Sequence, residues 1–136
     1  MNDRYLFKAI DTNSVWRTGL LIALKGNRCA IEESDGSKWA CDAKTLCQCT
    51  GLKDKNGKLI WENDIVRDKE GNCYKAFWQN NYYQFSWICV KSDIFQIGTK
   101  WDLYIWRSYE IEVIGNTFDN PELLERSGKM NILTMV

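Results

Sequence analysis

The amino-acid sequence predicts a mostly β protein with the architecture of a sandwich or a small barrel. Seven Trp, six Tyr and five Phe occur among its 136 residues, and aromatic side chains favour strands over helices. Turn signals rich in Gly, Asn and Asp recur about every 8–12 residues, a spacing typical of these folds. Apolar residues make up 45% of the chain and charged residues 26%, which is the composition of a folded globular protein.

Short strands ended by turns account for both halves of the chain. In the first half, turn-forming residues at 11–14, 25–27 and 34–37 separate predicted strands over residues 5–10, 15–24, 28–33, 38–42 and 45–50. In the second half, Asn56-Gly57 forms a tight turn and Asn63 can adopt the left-handed conformation. The strands predicted there cover residues 65–67, 73–78, 82–90, 101–107 and 109–114.

One short helix is predicted near the end of the chain. Asn120 suits the N-cap, Pro121 suits the first helical position, and Leu123 and Leu124 would dock the helix, which is expected to stop by Gly128. No segment has the composition of a flexible linker. We therefore expect one compact unit that comprises an N-terminal β subdomain, a second β region, and a short helix with its tail, over residues 1–49, 50–118 and 119–136.

The charge balance and the absence of histidine limit the function classes. Eighteen basic and eighteen acidic residues give a formal net charge of zero, which excludes a strongly basic nucleic-acid coat protein but leaves a local basic patch open. No apolar run approaches the roughly 18 residues of a membrane-spanning helix, so no membrane partner is expected. Without histidine the chain lacks the commonest general base and the commonest zinc ligand.

Six cysteines favour a reducing compartment and a structural role. The N-terminus has no apolar signal-peptide core, so we expect a cytoplasmic protein whose thiols are small buried hydrophobes. Cys47 and Cys49 form the only close pair. On a strand they share a face, which permits zinc chelation but is more often the pattern of two core positions. We therefore predict no bound metal and no other cofactor.

The best candidates for catalytic carboxylates are Glu62 and Asp64. Magnesium-dependent hydrolysis would need them to converge with further acids such as Asp54 or Asp68. An Asp in a turn more often accepts hydrogen bonds from its own backbone, and we favour that role for Asp64. The sequence therefore predicts no catalytic residues.

A hairpin rich in aromatic residues is the best candidate for a binding surface. Phe85 and Trp87 are predicted to share a core face with Tyr83. Two other rings near the turn, Trp78 and Tyr82, are expected to anchor a partner protein or to stack with single-stranded nucleic acid, and Tyr74 belongs to the same aromatic set.

Several basic residues could add phosphate contacts to such a surface. For a nucleic-acid partner they are Lys75, Lys91, Lys100 and Arg107 on neighbouring segments. The neutral net charge ranks a protein partner above a nucleic acid. A second basic cluster is expected mainly to solubilise an exposed turn, with binding to a phosphate backbone as the alternative; it consists of Lys53, Lys55 and Lys58.

Four distinctive segments follow one another along the chain: Phe7-Lys8-Ala9, Thr50-Gly51-Leu52-Lys53-Asp54-Lys55-Asn56-Gly57-Lys58, Glu62-Asn63-Asp64-Ile65-Val66, and Val113-Ile114-Gly115-Asn116 followed by Asn120-Pro121-Glu122-Leu123-Leu124. In this order they resemble the motifs of the YopX-like family of phage and prophage proteins. Asn63 stands where the family usually has glycine. The resemblance implies a largely β fold without an assigned activity, and its second half is similar to SH3-like small barrels. We therefore expect an N-terminal β-meander, an SH3-like barrel over residues 50–118, and one short C-terminal helix.

These observations lead to one main expectation and two alternatives. The main expectation is a non-catalytic phage or prophage accessory protein that binds a host or phage macromolecule, preferably a protein, in the bacterial cytoplasm. The alternatives are a nucleic-acid-binding small barrel and a metal-dependent hydrolase that uses Glu62 and Asp64. Self-association through edge strands or through the apolar tail over residues 130–136 is also open.

Overall fold

The computed structural model describes residues 3–102 and 110–124, and within them the protein is mostly β, as predicted. The chain divides between Gly51 and Leu52 into two compact units. No helix within the described residues is long and apolar enough to cross a membrane. The predicted extension of a strand to residue 107, the predicted helix end at Gly128 and the tail over 130–136 lie outside the described residues.

The first unit is built on four antiparallel strands joined in chain order, and a fifth strand returns to pair with the first. The five strands are β1 (Phe7–Ile10), β2 (Trp16–Lys25), β3 (Arg28–Glu32), β4 (Lys38–Asp42) and β5 (Cys47–Lys53). Their hydrogen-bonded order is β4-β3-β2-β1-β5. Short 3-10 helices precede β1 and β5, at Asp3–Tyr5 and Ala43–Thr45.

The core of the first unit lies on one face of these strands. Ala9, Cys29, Ile31 and Cys41 are buried together, and Trp39 packs against them. Cross-strand pairing places Cys29 opposite Cys41, so the two thiols lie on the same face. All six cysteines are buried thiols, which confirms the prediction of small core residues.

The second unit repeats the strand order of the first. The five strands of its sheet are β7 (Asp64–Asp68), β8 (Cys73–Gln79), β9 (Gln84–Lys91), β10 (Lys100–Asp102) and β11 (Ile111–Asn116); β6 (Leu59–Trp61) belongs to this unit but not to this sheet. The order of the sheet is β10-β9-β8-β7-β11, so four consecutive strands are again completed by a fifth that pairs with the first of them. This order is compatible with the SH3-like barrel predicted for this half. The same order in the first half was not predicted.

Both faces of this second sheet carry apolar clusters. The larger cluster consists of Ile60, Val66, Tyr74, Ala76, Phe85, Trp87, Cys89 and Ile111. A smaller cluster contains Ile65, Cys73 and Val90, and the side chains of Leu123 and Leu124 pack against it. Residues 122–124 are helical, so the predicted docking of a short helix by these two leucines is confirmed.

Three hairpin turns share one geometry that depends on an aspartate. In each, the backbone N–H of the aspartate donates to a carbonyl four residues later, and one carboxylate oxygen accepts from the N–H groups two and four residues later. The residue three positions after the aspartate has a positive φ, which is 64° at Ser14, 80° at Gly57 and 88° at Gly71. The aspartates are Asp11, Asp54 and Asp68.

Candidate functional site

The tip of the β8–β9 hairpin exposes two adjacent tyrosines. It comprises residues 79–84, with the sequence Gln-Asn-Asn-Tyr-Tyr-Gln, and carries no charged side chain. Tyr82 is 67% exposed and Tyr83 is 82% exposed. The turn is held by backbone bonds from the Tyr82 N–H to the Gln79 carbonyl (3.2 Å) and from the Tyr83 N–H to the Asn80 carbonyl (3.4 Å). Two large rings therefore face solvent at one end of this unit's sheet.

Tyr83 does not share the core face of the hairpin, and that prediction is wrong. The ladder between β8 and β9 ends at the pair Gln79–Gln84, so Tyr83 belongs to the turn rather than to the strand. Its φ of 52° is left-handed, which costs a residue with a Cβ about 1–2 kcal/mol and breaks the alternation of side chains. Phe85 and Trp87 lie in the core as predicted.

Two of the predicted binding residues are covered by neighbouring side chains to different degrees. Tyr74 is fully buried and its hydroxyl donates to a carboxylate oxygen of Asp68 at 2.8 Å, so its predicted place in a binding surface is wrong. Burial raises the pKa of this hydroxyl, and the bond to Asp68 raises it further. Trp78 is half-buried and its ring meets Phe85 edge to face at a centroid distance of 5.1 Å. Trp78 therefore packs against the core of this unit, next to the tip.

A ladder of side-chain hydrogen bonds fixes the base of the tip. The Ser86 hydroxyl donates to Gln79 Oε1 at 2.9 Å, and the Gln84 amide donates to Asp102 Oδ1 at 2.8 Å. Beside this ladder lies a cleft of about 430 Å³. The cleft is lined by Gln79, Tyr82, Gln84, Lys100, Trp101 and Asp102.

The predicted lysine cluster lies on another turn of this unit. Lys53 ends β5, and Lys55 and Lys58 belong to the turn that begins at Asp54; all three are exposed. Lys55 Nζ lies 3.9 Å from a carboxylate oxygen of Glu112. The three lysines are thus brought together, but on a turn different from the one that bears the tyrosines. Of the other predicted basic residues, Arg107 lies outside the described part of the chain.

One of the two candidate catalytic carboxylates, Asp64, forms part of a turn. A carboxylate oxygen of the buried Asp64 accepts from the Trp61 N–H at 2.8 Å, and Asn63 has a left-handed φ of 71°, as predicted for this turn. Burial opposes ionisation of Asp54, but the N–H groups that it accepts from lower its pKa overall. Among residues 3–102 and 110–124, no group of three Cys, Asp or Glu side chains could hold a metal ion.

Three of the thiols lie in surroundings that favour their protonated form. Burial raises the pKa of Cys41 to about 11, and it also raises the pKa of Cys29 and of Cys89. The Cys47 thiol donates to the Thr45 carbonyl at 3.3 Å, and Cys47 and Cys49 are both buried. A nucleophilic or metal-binding thiolate would need the opposite shift. The geometry therefore singles out the hairpin tip rather than a reactive centre.

The sequence contains one feature that indicates a turn next to Tyr83. The pair Asn80-Asn81 indicates a turn, but it does not fix the number of residues in the loop. With a two-residue loop β9 would begin at Tyr82, whereas with a four-residue loop it begins at Gln84. The structure has the longer loop, so both tyrosines are at the tip.

Comparison with known proteins places the chain in one family. The family model described as YopX protein matches residues 8–125, which include the hairpin tip and all eleven strands of the described part except the first residue of β1. No curated protein matches the chain. Because the matched segment covers far more than half of the sequence, the chain belongs to the YopX protein family.

Proposed function

We propose that this member of the YopX family is a non-catalytic accessory protein, encoded by a phage or prophage, that binds a partner protein through the tip of the β8–β9 hairpin. The partner would be a host or phage protein in the bacterial cytoplasm. The observation that carries the proposal is the exposure of two adjacent tyrosine rings, Tyr82 and Tyr83, on a turn of this unit.

The composition of the tip suits recognition of a protein surface. Tyrosine offers a large rigid ring with a hydroxyl that can donate and accept a hydrogen bond, and asparagine and glutamine amides adapt to varied polar partners. The tip combines two tyrosines with four such amides. Tyrosines placed in this way are frequent hot spots of protein interfaces.

The tip also favours a protein over a nucleic acid. Nucleic-acid binding draws most of its affinity from cations placed against phosphates, but residues 79–84 carry no charge. In the cleft beside the tip, the positive charge of Lys100 is balanced by Asp102. The lysine-rich turn at Asp54, which would supply such cations, is separate from the tyrosine turn in the chain.

Rigidity of the supporting strands strengthens the proposal. β8 and β9 are paired from Cys73–Lys91 to Gln79–Gln84, and the side-chain ladder at Ser86 holds the last pair. A surface that is already ordered loses less conformational entropy when it binds. The tyrosines therefore stand on a preformed platform.

The test is affinity capture from phage-infected host lysate with the full chain as bait. We expect a specific protein that is retained by the wild type and lost by the Tyr82→Ala/Tyr83→Ala double variant. A Tyr5→Ala bait, which removes an exposed tyrosine from the other unit, should retain it. With the purified partner, the double variant should bind roughly 30-fold more weakly, the loss expected for one hot spot.

Two outcomes would reject the proposal. One is a partner that all three baits retain equally, because the tip would then be irrelevant. The other is retained material that nuclease treatment removes, because the ligand would then be a nucleic acid. Turnover of a substrate by the purified chain would contradict the non-catalytic part of the proposal.

A further inference from the structure

Strand β2 is longer than the strand that covers one of its edges. β1 pairs with β2 only from Ile10–Trp16 to Phe7–Gly19, whereas β3 pairs with the other edge from Leu20 to Lys25. Within residues 3–102 and 110–124, no strand pairs with the β1 side of β2 beyond Gly19. Residues 20–25 therefore form an edge whose outward backbone N–H and C=O groups have no strand partner in the described structure.

This edge is also apolar. Leu20, Ile22 and Leu24 are 46%, 44% and 60% exposed, and residues 19–24 contain neither a charge nor a proline. Soluble proteins usually protect such edges with lysine, proline or a covering segment. The register shift between Leu21 and Ala23 places one extra residue, Ile22, on β2, and bulges are one of the devices that bend an edge. A single bulge leaves the three large side chains in solvent.

We propose that residues 20–25 of β2 pair antiparallel with the same residues of a second copy of this chain, about a two-fold axis between Ile22 and Ala23. An unpaired strand edge is complementary to extended backbone, so its natural occupant is another strand. The two-fold arrangement places Leu21 opposite Leu24 and Ile22 opposite Ala23 of the second copy. It buries apolar side chains against one another on both sides of the axis.

The position of the single charged residue, Lys25, allows two copies to pair in the antiparallel orientation. Lys25 is the only charged residue in the segment, and it lies at one end. Antiparallel pairing puts the two Lys25 side chains at opposite ends, five residues or about 17 Å apart. That separation is about twice the screening length at physiological salt. Parallel pairing would set the lysines side by side, where like charges repel.

The first test is the oligomeric state of the full chain, measured by sedimentation over a range of concentrations. We expect a reversible dimer in the wild type. The variants Ile22→Lys and Leu24→Lys should each raise the dissociation constant of the dimer by roughly tenfold or more, since each places a charge in the pairing edge. Ile94→Lys is the matched control, because it adds the same charge at an exposed isoleucine of the other unit.

The second test reads the register and does not depend on a destabilising charge. Ile22→Cys and Ala23→Cys proteins are prepared separately, mixed and oxidised. Opposite residues of an antiparallel pair have Cβ atoms about 5 Å apart, close enough for a disulfide after a small adjustment. A mixture of the two should give more covalent dimer than a mixture of Ile22→Cys with Ile94→Cys. The six native cysteines are buried and should contribute little.

These measurements can overturn the proposal in two ways. The wild type could stay monomeric at all concentrations reached. A dimer could form that neither lysine variant weakens, which would place the interface elsewhere. Neither of these outcomes bears on the tyrosine tip, which lies in the other unit.

Discussion

The side chain of Asp54 accepts a hydrogen bond from the backbone N–H of Val113, 59 residues later in the chain, at 2.9 Å. The other carboxylate oxygen of Asp54 accepts from the N–H groups of Asn56 and Lys58 within its own turn. The Lys55 N–H donates to the Ile111 carbonyl at 2.9 Å. The turn at Asp54 is thus attached to β11, and these contacts give its conspicuous sequence a structural role.

Replacement of Asp54 by alanine should therefore destabilise the fold strongly. The change removes an acceptor for three backbone N–H groups, one of them distant in sequence, and we expect a loss of about 3 kcal/mol in the free energy of unfolding. Urea denaturation followed by tryptophan fluorescence measures it. Asp35→Ala is the control, because that exposed carboxylate accepts hydrogen bonds from Ser37, two residues later, and its loss should cost less than about 1 kcal/mol. Equal losses for the two variants would contradict this account.

The same carboxylate should make stability depend on pH. The folded structure lowers the pKa of Asp54 below the 3.8 of an unperturbed Asp, so the unfolded chain binds this proton more readily than the folded chain does. Its contribution to stability is complete at pH values above the unfolded pKa and is lost as the pH falls through the folded one. Asp11 acts in the same direction, because its bond with Arg17 lowers its pKa.

Urea midpoints measured between pH 7 and pH 3 would test this sign. We expect the wild type to lose stability below about pH 4, and the Asp54→Asn variant to lose less over the same range. A wild-type stability that rises as the medium becomes acidic would be inconsistent with ionised aspartates in these turns.

Gly19 is a position where no side chain fits. A Cβ there would collide with the carbonyl oxygen of Glu32, a backbone atom that cannot turn away. We expect Gly19→Ala to cost about 1–3 kcal/mol, the usual range for overpacking. Thr18→Ala, at the exposed neighbouring position, should change the free energy of unfolding by less than about 0.5 kcal/mol. Thermal denaturation of the two variants would measure both losses. Similar losses for the two would contradict a steric conflict at residue 19.

Position 83 should accept glycine better than alanine. Its left-handed φ of 52° is strained for a residue with a Cβ and is free of strain for glycine. After allowance for the larger entropy of glycine in the unfolded chain, we expect Tyr83→Gly to stabilise the protein by about 0.5–1 kcal/mol relative to Tyr83→Ala. Chemical denaturation of both variants provides the comparison. If alanine proves equal or better, the backbone at residue 83 is not strained.

The local features of the fold could be predicted from the sequence, because each depends on neighbouring residues. Turn chemistry placed the left-handed Asn63, and apolar side chains predicted the docking of Leu123 and Leu124. Alternation alone could not choose the inner face of β8, because aromatic residues occupy both of its faces. Tyr74 and Trp78 lie on one face and Phe77 on the other, and only the pairing with β7 and β9 shows that Tyr74 points inward.

Contacts distant in sequence escaped prediction for a different reason. β5 pairs with β1, and the Val113 N–H donates to Asp54. In both cases, nothing in the sequence of one segment indicates which distant segment it will contact. Such pairings depend on the complete fold rather than on local propensity. The open edge of β2 is a further case, since the sequence shows a long apolar strand but not how far its neighbour extends.

The repeated strand order has a consequence for synthesis on the ribosome. All five strands of the first unit are encoded before residue 54, so its sheet can close while the second unit is still being translated. The second sheet stays incomplete until β11 emerges, because that strand pairs with β7. A transcript cut short between Asp102 and Ile111 would yield a chain that contains β1 to β5 but lacks β11, the strand that pairs with β7.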